Sequence, residues 1–253
     1  MQQPSHVLIT GASSGIGAAL ARRYAERGRR LSLGGRDPQR LEAVAVECRS
    51  RGATVATAAL DVSDRAAMRA WVLAADDAAA LDLVIANAGM VAGTRASDET
   101  EELVRKVFAV NLEGVLNTAL PVIERMRLRR RGQLALMSSL AGYRGFPDAP
   151  AYSASKTAVR ALAEAWRGAL RPEGIRVSAI CPGFVTTPMT AHNDFRMPFL
   201  MNAERAAEIV VRGLARDRGR ISFPWPMTLG VWLIAALPAR WSDRLLRPRR
   251  SRK

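Results

Sequence analysis

Two groups of residues have types and spacings that could do chemistry. Tyr152 and Lys156 stand four apart in a stretch, Tyr152 to Leu170, whose apolar pattern predicts a helix, so their side chains share a face. A free tyrosine titrates near pH ~10, and lowering that by about three units takes on the order of 4 kcal/mol of preference for the phenolate. An ammonium beside the ring would supply part of it. Such a tyrosine can protonate a carbonyl oxygen or deprotonate an alcohol. The second group is Thr10-Gly11-Ala12-Ser13-Ser14-Gly15-Ile16-Gly17, a glycine-rich turn between a short apolar strand and a helical pattern. Glycines there let the backbone turn tightly and approach a pyrophosphate, whose charge meets the N–H groups and dipole at the helix N-terminus.

The second expected strand ends in Gly34-Gly35-Arg36. In dinucleotide sites a carboxylate at this place bonds the ribose 2′-hydroxyl. Here Arg36 offers a planar cation suited to a 2′-phosphate, so the expectation is NADP(H), with NAD(H) as the alternative. The adjacent Asp37, followed by Pro38, reads as a helix N-cap. No metal site is expected. Cys48 and Cys181 have no Cys-x-x-Cys partner, and His6 and His192 read as surface or loop histidines far apart in sequence.

These groups need a scaffold, and the sequence supplies one. Aliphatic runs at Val7–Thr10, Arg30–Gly34, Thr54–Ala58, Leu81–Ala86, Gln133–Ser138, Arg176–Cys181 and Arg220–Phe223 predict seven strands. Helical patterns fall between them at Ile16–Arg27, Pro38–Arg51, Asp64–Ala74, Glu101–Arg127, Tyr152–Leu170 and Ala203–Arg216, with Ser63 as an N-cap. The alternation predicts an α/β fold, a doubly wound parallel seven-stranded sheet of Rossmann type with helices on both faces. Residues 1–220 form the expected binding and catalytic domain, with an apolar substrate lid at about 188–202. Residues 221–253 form a C-terminal extension.

With these residues in place the chain resembles the short-chain dehydrogenase/reductase family, over roughly Ser5 to Met189. Further motifs follow in that family's order. Asp61-Val62 resembles its adenine contact and Asn87-Ala88-Gly89 its N-A-G element, with Ala86 where many members carry a second asparagine. Asn111 lies in the long helix as the family's active-site asparagine does, and Ser139 precedes Tyr152 by thirteen residues. Pro182-Gly183, with Val185 and Thr187, resembles the element that holds the nicotinamide carboxamide and phosphate. The resemblance implies an oxidoreductase that moves a hydride between NADP(H) and a carbonyl or secondary alcohol. Tyr152 would be general acid/base, helped by Lys156 and by the positive charge of the oxidised nicotinamide, and Ser139 would hold the substrate oxygen. Asn111 would hold a water linking Lys156 to solvent. A rival reading, a dinucleotide-binding or membrane-associated scaffold without turnover, would be marked by a damaged tetrad, and this one is intact.

Composition narrows the remaining choices. The 253 residues are 49% hydrophobic and 24% charged, which excludes collagen, coiled coil and wholesale disorder. The net charge is +15, nearly all from arginine. Arg125, Arg127, Arg129, Arg130 and Arg131 end the long helix, where cations suit the dipole. No nucleic-acid motif accompanies the charge, so no nucleic-acid partner is expected. Six arginines and Lys253 against Asp243 alone place +6 of the total in residues 239–253, just after an apolar run, Met227–Leu237. That run is short for a bilayer span. With Trp225, Trp232 and Trp241 it either lies in an anionic membrane interface or packs across the pocket or another subunit. The start lacks a secretory pattern. The expectations are a cytoplasmic protein, or one peripheral on the inner face of the membrane, that forms a dimer or tetramer and takes lipophilic carbonyls or alcohols, given Met189, Phe195, Met197, Phe199, Leu200 and Met201 in the lid.

Overall fold

The computed structural model describes residues 4–92, 99–191, 193 and 195–246. His192, part of the expected lid, and the arginines beyond residue 246 lie outside them. Seven strands, β1 (His6–Thr10), β2 (Arg30–Gly35), β3 (Thr54–Ala59), β4 (Leu83–Ala86), β5 (Gly132–Met137), β6 (Ile175–Pro182) and β7 (Arg220–Phe223), form one sheet in the order β3-β2-β1-β4-β5-β6-β7. Every pairing is parallel. The order reverses between β1 and β4, and in such sheets a crevice opens at that point beyond the carboxyl ends of the strands.

Helices cover both faces because the strands are apolar on both sides. Val7 and Ile9 of β1 enter one core and Leu8 the other, as alternation along a strand requires. The first core packs the sheet against α1 (Gly15–Tyr24), α2 (Pro38–Ser50) and α7 (Ala203–Ala215). The second packs it against α3 (Arg65–Ala78), α5 (Gly114–Leu128) and α6 (Pro150–Leu170). α4 (Glu101–Phe108) runs into α5 through a π-helical turn at Ala109–Glu113. After β7 come α8 (Trp225–Ala236) and α9 (Ala239–Leu245).

Several boundaries differ from expectation, each for a local reason. Asp64 caps α3, bonding the Ala67 N–H at 3.0 Å, while Ser63 turns its hydroxyl to Asp61 at 2.7 Å. β4 begins at Leu83 because Leu81 is held outside the ladder: its N–H donates to Asp76 at 2.8 Å and its carbonyl accepts from Arg129 at 2.7 Å. The arginine cluster is absorbed by such partners, with Arg125 on Asp77, Arg127 on Glu173 and Arg131 on Asp82. His6 is no surface histidine. It is 1% exposed on β1, with Nδ1 2.7 Å from the Ala79 carbonyl and Nε2 2.9 Å from Ser32 Oγ, and burial lowers its pKa. Both cysteines are buried and unpaired.

Candidate active site

The turn after β1 is built for a close-approaching anion. Gly15 has φ +53°, a left-handed conformation that disfavours a side chain. A Cβ on Gly17 would come 2.1 Å from the Gly11 carbonyl, so only glycine lets α1 start this near the turn. Ser14 occupies the N-cap with no side-chain capping bond, and the first turn carries no acid. The leading N–H groups of α1 are therefore left for a ligand. The turn is braced from β4. Asn87 Nδ2 donates to the carbonyls of Thr10 (2.9 Å) and Gly11 (3.2 Å), and Thr10 Oγ1 accepts from the N–H groups of Asn87 and Ala88. The sequence placed Thr10 at the strand end but gave its hydroxyl no role, because that role depends on Asn87, 77 residues away.

At the end of β2, Asp37 is engaged in the manner its Pro38 neighbour suggests. Its carboxylate accepts from the Arg40 N–H at 3.0 Å and pairs with the Arg40 guanidinium at 2.7 Å. The Arg40 contacts hold its carboxyl below the usual range. Arg36 is exposed, and among the described residues no group pairs with its guanidinium. Asp61, beyond β3, accepts from the Ser63 N–H and hydroxyl.

The reactive end is drier. Lys156, 2% exposed, donates from Nζ to the Met137 carbonyl at 2.9 Å and sits 5.7 Å from the centre of the Tyr152 ring. Burial lowers its pKa to about 8. Tyr152 is partly exposed as a residue, but its hydroxyl lies among enough protein that desolvation raises its pKa, against the pull of a side-chain hydrogen bond with Ser139. Burial is the largest effect on both groups, raising the phenol and lowering the ammonium. Ser139 closes β5, its Oγ 3.1 Å from the Ala141 N–H and 3.4 Å from the Pro182 carbonyl.

Asn111 sits fully buried in the π turn. Its Oδ1 accepts from the Met90 N–H at 2.8 Å, and Nδ2 donates to the Met90 carbonyl and to Ser155 Oγ at 2.9 and 3.0 Å. Gly89 lies between Asn111 and Lys156, where a Cβ would stand 3.2 Å from both Oδ1 and Nζ.

One cleft of about 540 Å³ joins these parts. Every site residue named from the sequence lines it except Gly17 and Asn111, which stand behind its wall. Pro182, Gly183, Val185 and Thr187 close it opposite Tyr152, Val185 through a bridge to Met201 and Thr187 beside Gly15. Arg40, Met90, Met137 and Thr190 also line it, unmarked by their spacing, as does Met189 of the expected lid.

A doubly wound sheet with an uncapped, glycine-rich helix start at its switch point, and a Tyr-Lys-Ser group at the same sheet edge, defines a nucleotide-dependent oxidoreductase. The short chain dehydrogenase family model matches residues 5–196. An uncharacterized oxidoreductase of Myxococcus xanthus is 41% identical over 232 residues, 91% of this chain and 92% of that protein. Among solved structures, a short-chain dehydrogenase/reductase of Burkholderia phymatum in complex with NAD superposes with TM-score 0.83 at 26% identity, covering 97% of this chain and 95% of its own. A short-chain dehydrogenase of Sphingobium yanoikuyae in complex with NADPH gives TM-score 0.80 at 26% identity, covering 98% of each. The chain belongs to the short-chain dehydrogenase/reductase family and is an NAD(P)-dependent dehydrogenase/reductase.

Proposed function

We propose that the protein is an NADP(H)-dependent oxidoreductase acting on a lipophilic carbonyl or secondary alcohol. The carrying observation is the single cleft that runs from the free N-terminus of α1, past the exposed Arg36, to the Tyr152 hydroxyl. The α1 N–H groups hold the pyrophosphate, with Ser13, Ser14 and Ile16 in the same turn, and Asp61 and Val62 flank the adenine. Arg36 meets the 2′-phosphate. Arg40 contacts both oxygens of Asp37 and offsets its charge, which weakens its pull on a ribose hydroxyl. Asn87, Ala88 and Gly89 form the floor, and Pro182, Gly183, Val185 and Thr187 hold the nicotinamide end.

The bound nicotinamide supplies or accepts the hydride. Ser139 orients the substrate oxygen and stabilises charge developing on it. In reduction Tyr152 gives its proton to that oxygen; in oxidation it takes one. Burial keeps the phenol protonated among this chain's own residues, so the group is set as an acid and needs added positive charge to act as a base. Lys156 supplies some of that charge when protonated. Both amide hydrogens of Asn111 are already donated, so a water relay to Lys156 would rest on its main-chain carbonyl in the π turn, a feature common at functional sites.

Residues 1–220 carry this chemistry, although β7 extends the sheet to Phe223. The lid at 188–202 leaves Met189, Phe195, Phe199 and Leu200 exposed, which favours lipophilic substrates over sugars. Residues 221–253 form a peripheral membrane-facing segment on the cytoplasmic side, and the chain assembles as a homo-oligomer. Among the described residues the one helical run long and apolar enough to cross a membrane, Glu101–Leu128, has a window 61% buried and carries Asn111 in the core. The deciding experiment titrates NADPH and NADH and then follows loss of NADPH absorbance with a panel of ketones and aldehydes. Tighter NADPH binding and turnover of apolar carbonyls are expected. Equal affinities would remove the role of Arg36, and binding without turnover of any compound would favour the scaffold reading.

A further inference from the structure

The large apolar side chains left exposed are not scattered. Among the described residues all but Val46, Leu120 and Leu128 lie in two segments, residues 189–200 and residues 225–245. α8 is apolar around its whole circumference and contains no fully buried residue, with Trp225 73% and Trp232 56% exposed. Helices of that composition belong inside a core or a bilayer.

The inner side of α8 rests on the substrate end of the site. A Cβ on Gly183 would come 3.1 Å from Met227 Sδ, and Met227 and Val231 pack on the core around Leu140. Those contacts reach the two stretches that carry Ser139 and Pro182-Gly183. The other exposed segment follows directly from Thr187. Met189 and Thr190 of that segment line the cleft, and α8 backs Gly183 at its edge, so both segments lie beside the substrate end. α9, next along the chain, carries Arg240 and Arg244, and Arg220, paired with Glu164 at 3.2 Å, lines a hollow of about 290 Å³ with Tyr143, Trp225 and Trp232. By sequence, residues 239–253 carry a net charge of +6 with Arg240 and Arg244 included. A second copy seated on this face would set that charge against itself. An anionic lipid surface would balance it while taking up the tryptophans.

We infer that α8 seats on an anionic bilayer and holds the mouth of the active-site cleft, with residues 189–200, at the lipid surface, so that the lipophilic substrate enters from the membrane. This rests on the reading of residues 221–253 as membrane-facing. Leu229 and Leu233 are one turn apart and 48% and 52% exposed, so Leu229→Asp/Leu233→Asp alters the face without opening the core. Leu200→Cys carries an environment-sensitive dye, since Cys48 and Cys181 are buried and will not label. Val46→Cys on α2 is the control. Vesicles are equal parts phosphatidylglycerol and phosphatidylcholine.

Expected are sedimentation with vesicles at low salt, a blue shift of the dye at position 200 and none at position 46. The double variant should lose at least tenfold in vesicle affinity and the shift at position 200, with NADPH affinity unchanged. Sedimentation without the shift at position 200 overturns entry from the membrane and leaves peripheral binding standing. Failure to sediment at low salt overturns both. A fall in oligomeric mass in the double variant would then identify a second copy as the occupant. Failure of the unmodified protein to bind NADPH or NADH would count against the oxidoreductase reading alone.

Discussion

The carboxyl edge of the sheet and the α8–α9 segment obey opposite rules. Around Thr10, Asn87, Asn111 and Lys156 nearly every polar atom has a partner, and the donors left over, at the start of α1 and on Arg36, point to one charged ligand. In α8 and α9 the polar account is ordinary and the apolar surface is left over: Trp225, Trp232, Trp241 and Leu245 are each more than half exposed. A binding site is recognised by whichever quantity the fold leaves unbalanced. In the first region that quantity is hydrogen-bonding capacity beside positive charge, and in the second it is hydrophobic area.

The largest effect that would test this contrast is at Tyr152. Tyr152→Phe should lower turnover of a good ketone substrate by about 10²- to 10⁴-fold while NADPH affinity, measured by fluorescence titration, stays nearly constant. Near-normal turnover would move proton transfer elsewhere. Lys156→Met should lose turnover and cofactor affinity together, yet gain stability. The buried ammonium titrates at about 8 instead of 10.5, so the folded state binds fewer protons than the unfolded one between those values. Its penalty is fully present below pH 8 and fades as pH rises toward 10.5. Thermal unfolding should show Lys156→Met more stable by up to about 3 kcal/mol at pH 7, with the gap closing by pH 10. A gap that stays constant with pH would mean the ammonium is solvated.

At the other end of the cleft, Arg36→Ala should weaken NADPH by about 1.5 to 3 kcal/mol and leave NADH almost untouched. Parallel titrations decide it, and equal loss for both cofactors would place Arg36 on a shared group. The smallest effect belongs to the ground under α8. Tyr143 bonds Ser222 Oγ at 2.7 Å and lies between the guanidinium groups of Arg160 and Arg220. Tyr143→Phe keeps the ring and removes the bond to Ser222 and a long one from Arg220 (3.5 Å), so denaturant melts should show a loss of about 1 kcal/mol. A much larger loss would show that α8 is held to the sheet chiefly through this hydroxyl.

Local rules made much of this legible. Strand and helix periodicities, the glycines that only a tight strand-to-helix turn requires, the Asp37-Pro38 cap and the four-residue spacing of Tyr152 and Lys156 are properties of short stretches of chain. They specify the parallel α/β class, the place of the glycine-rich turn and the pair of side chains on one helix face before any packing is known. What tertiary structure decided is which groups were already spent. It buried His6 between Ala79 and Ser32 and gave the Asn111 amide to Met90 and Ser155. It held Leu81 out of β4 through Asp76 and Arg129, and it left α8 half uncovered. It also set the tyrosine and lysine in so dry a place that burial is the largest effect on both protons. Desolvation and hydrogen-bond occupancy depend on atoms brought together from distant parts of the chain, and no spacing along the sequence encodes them.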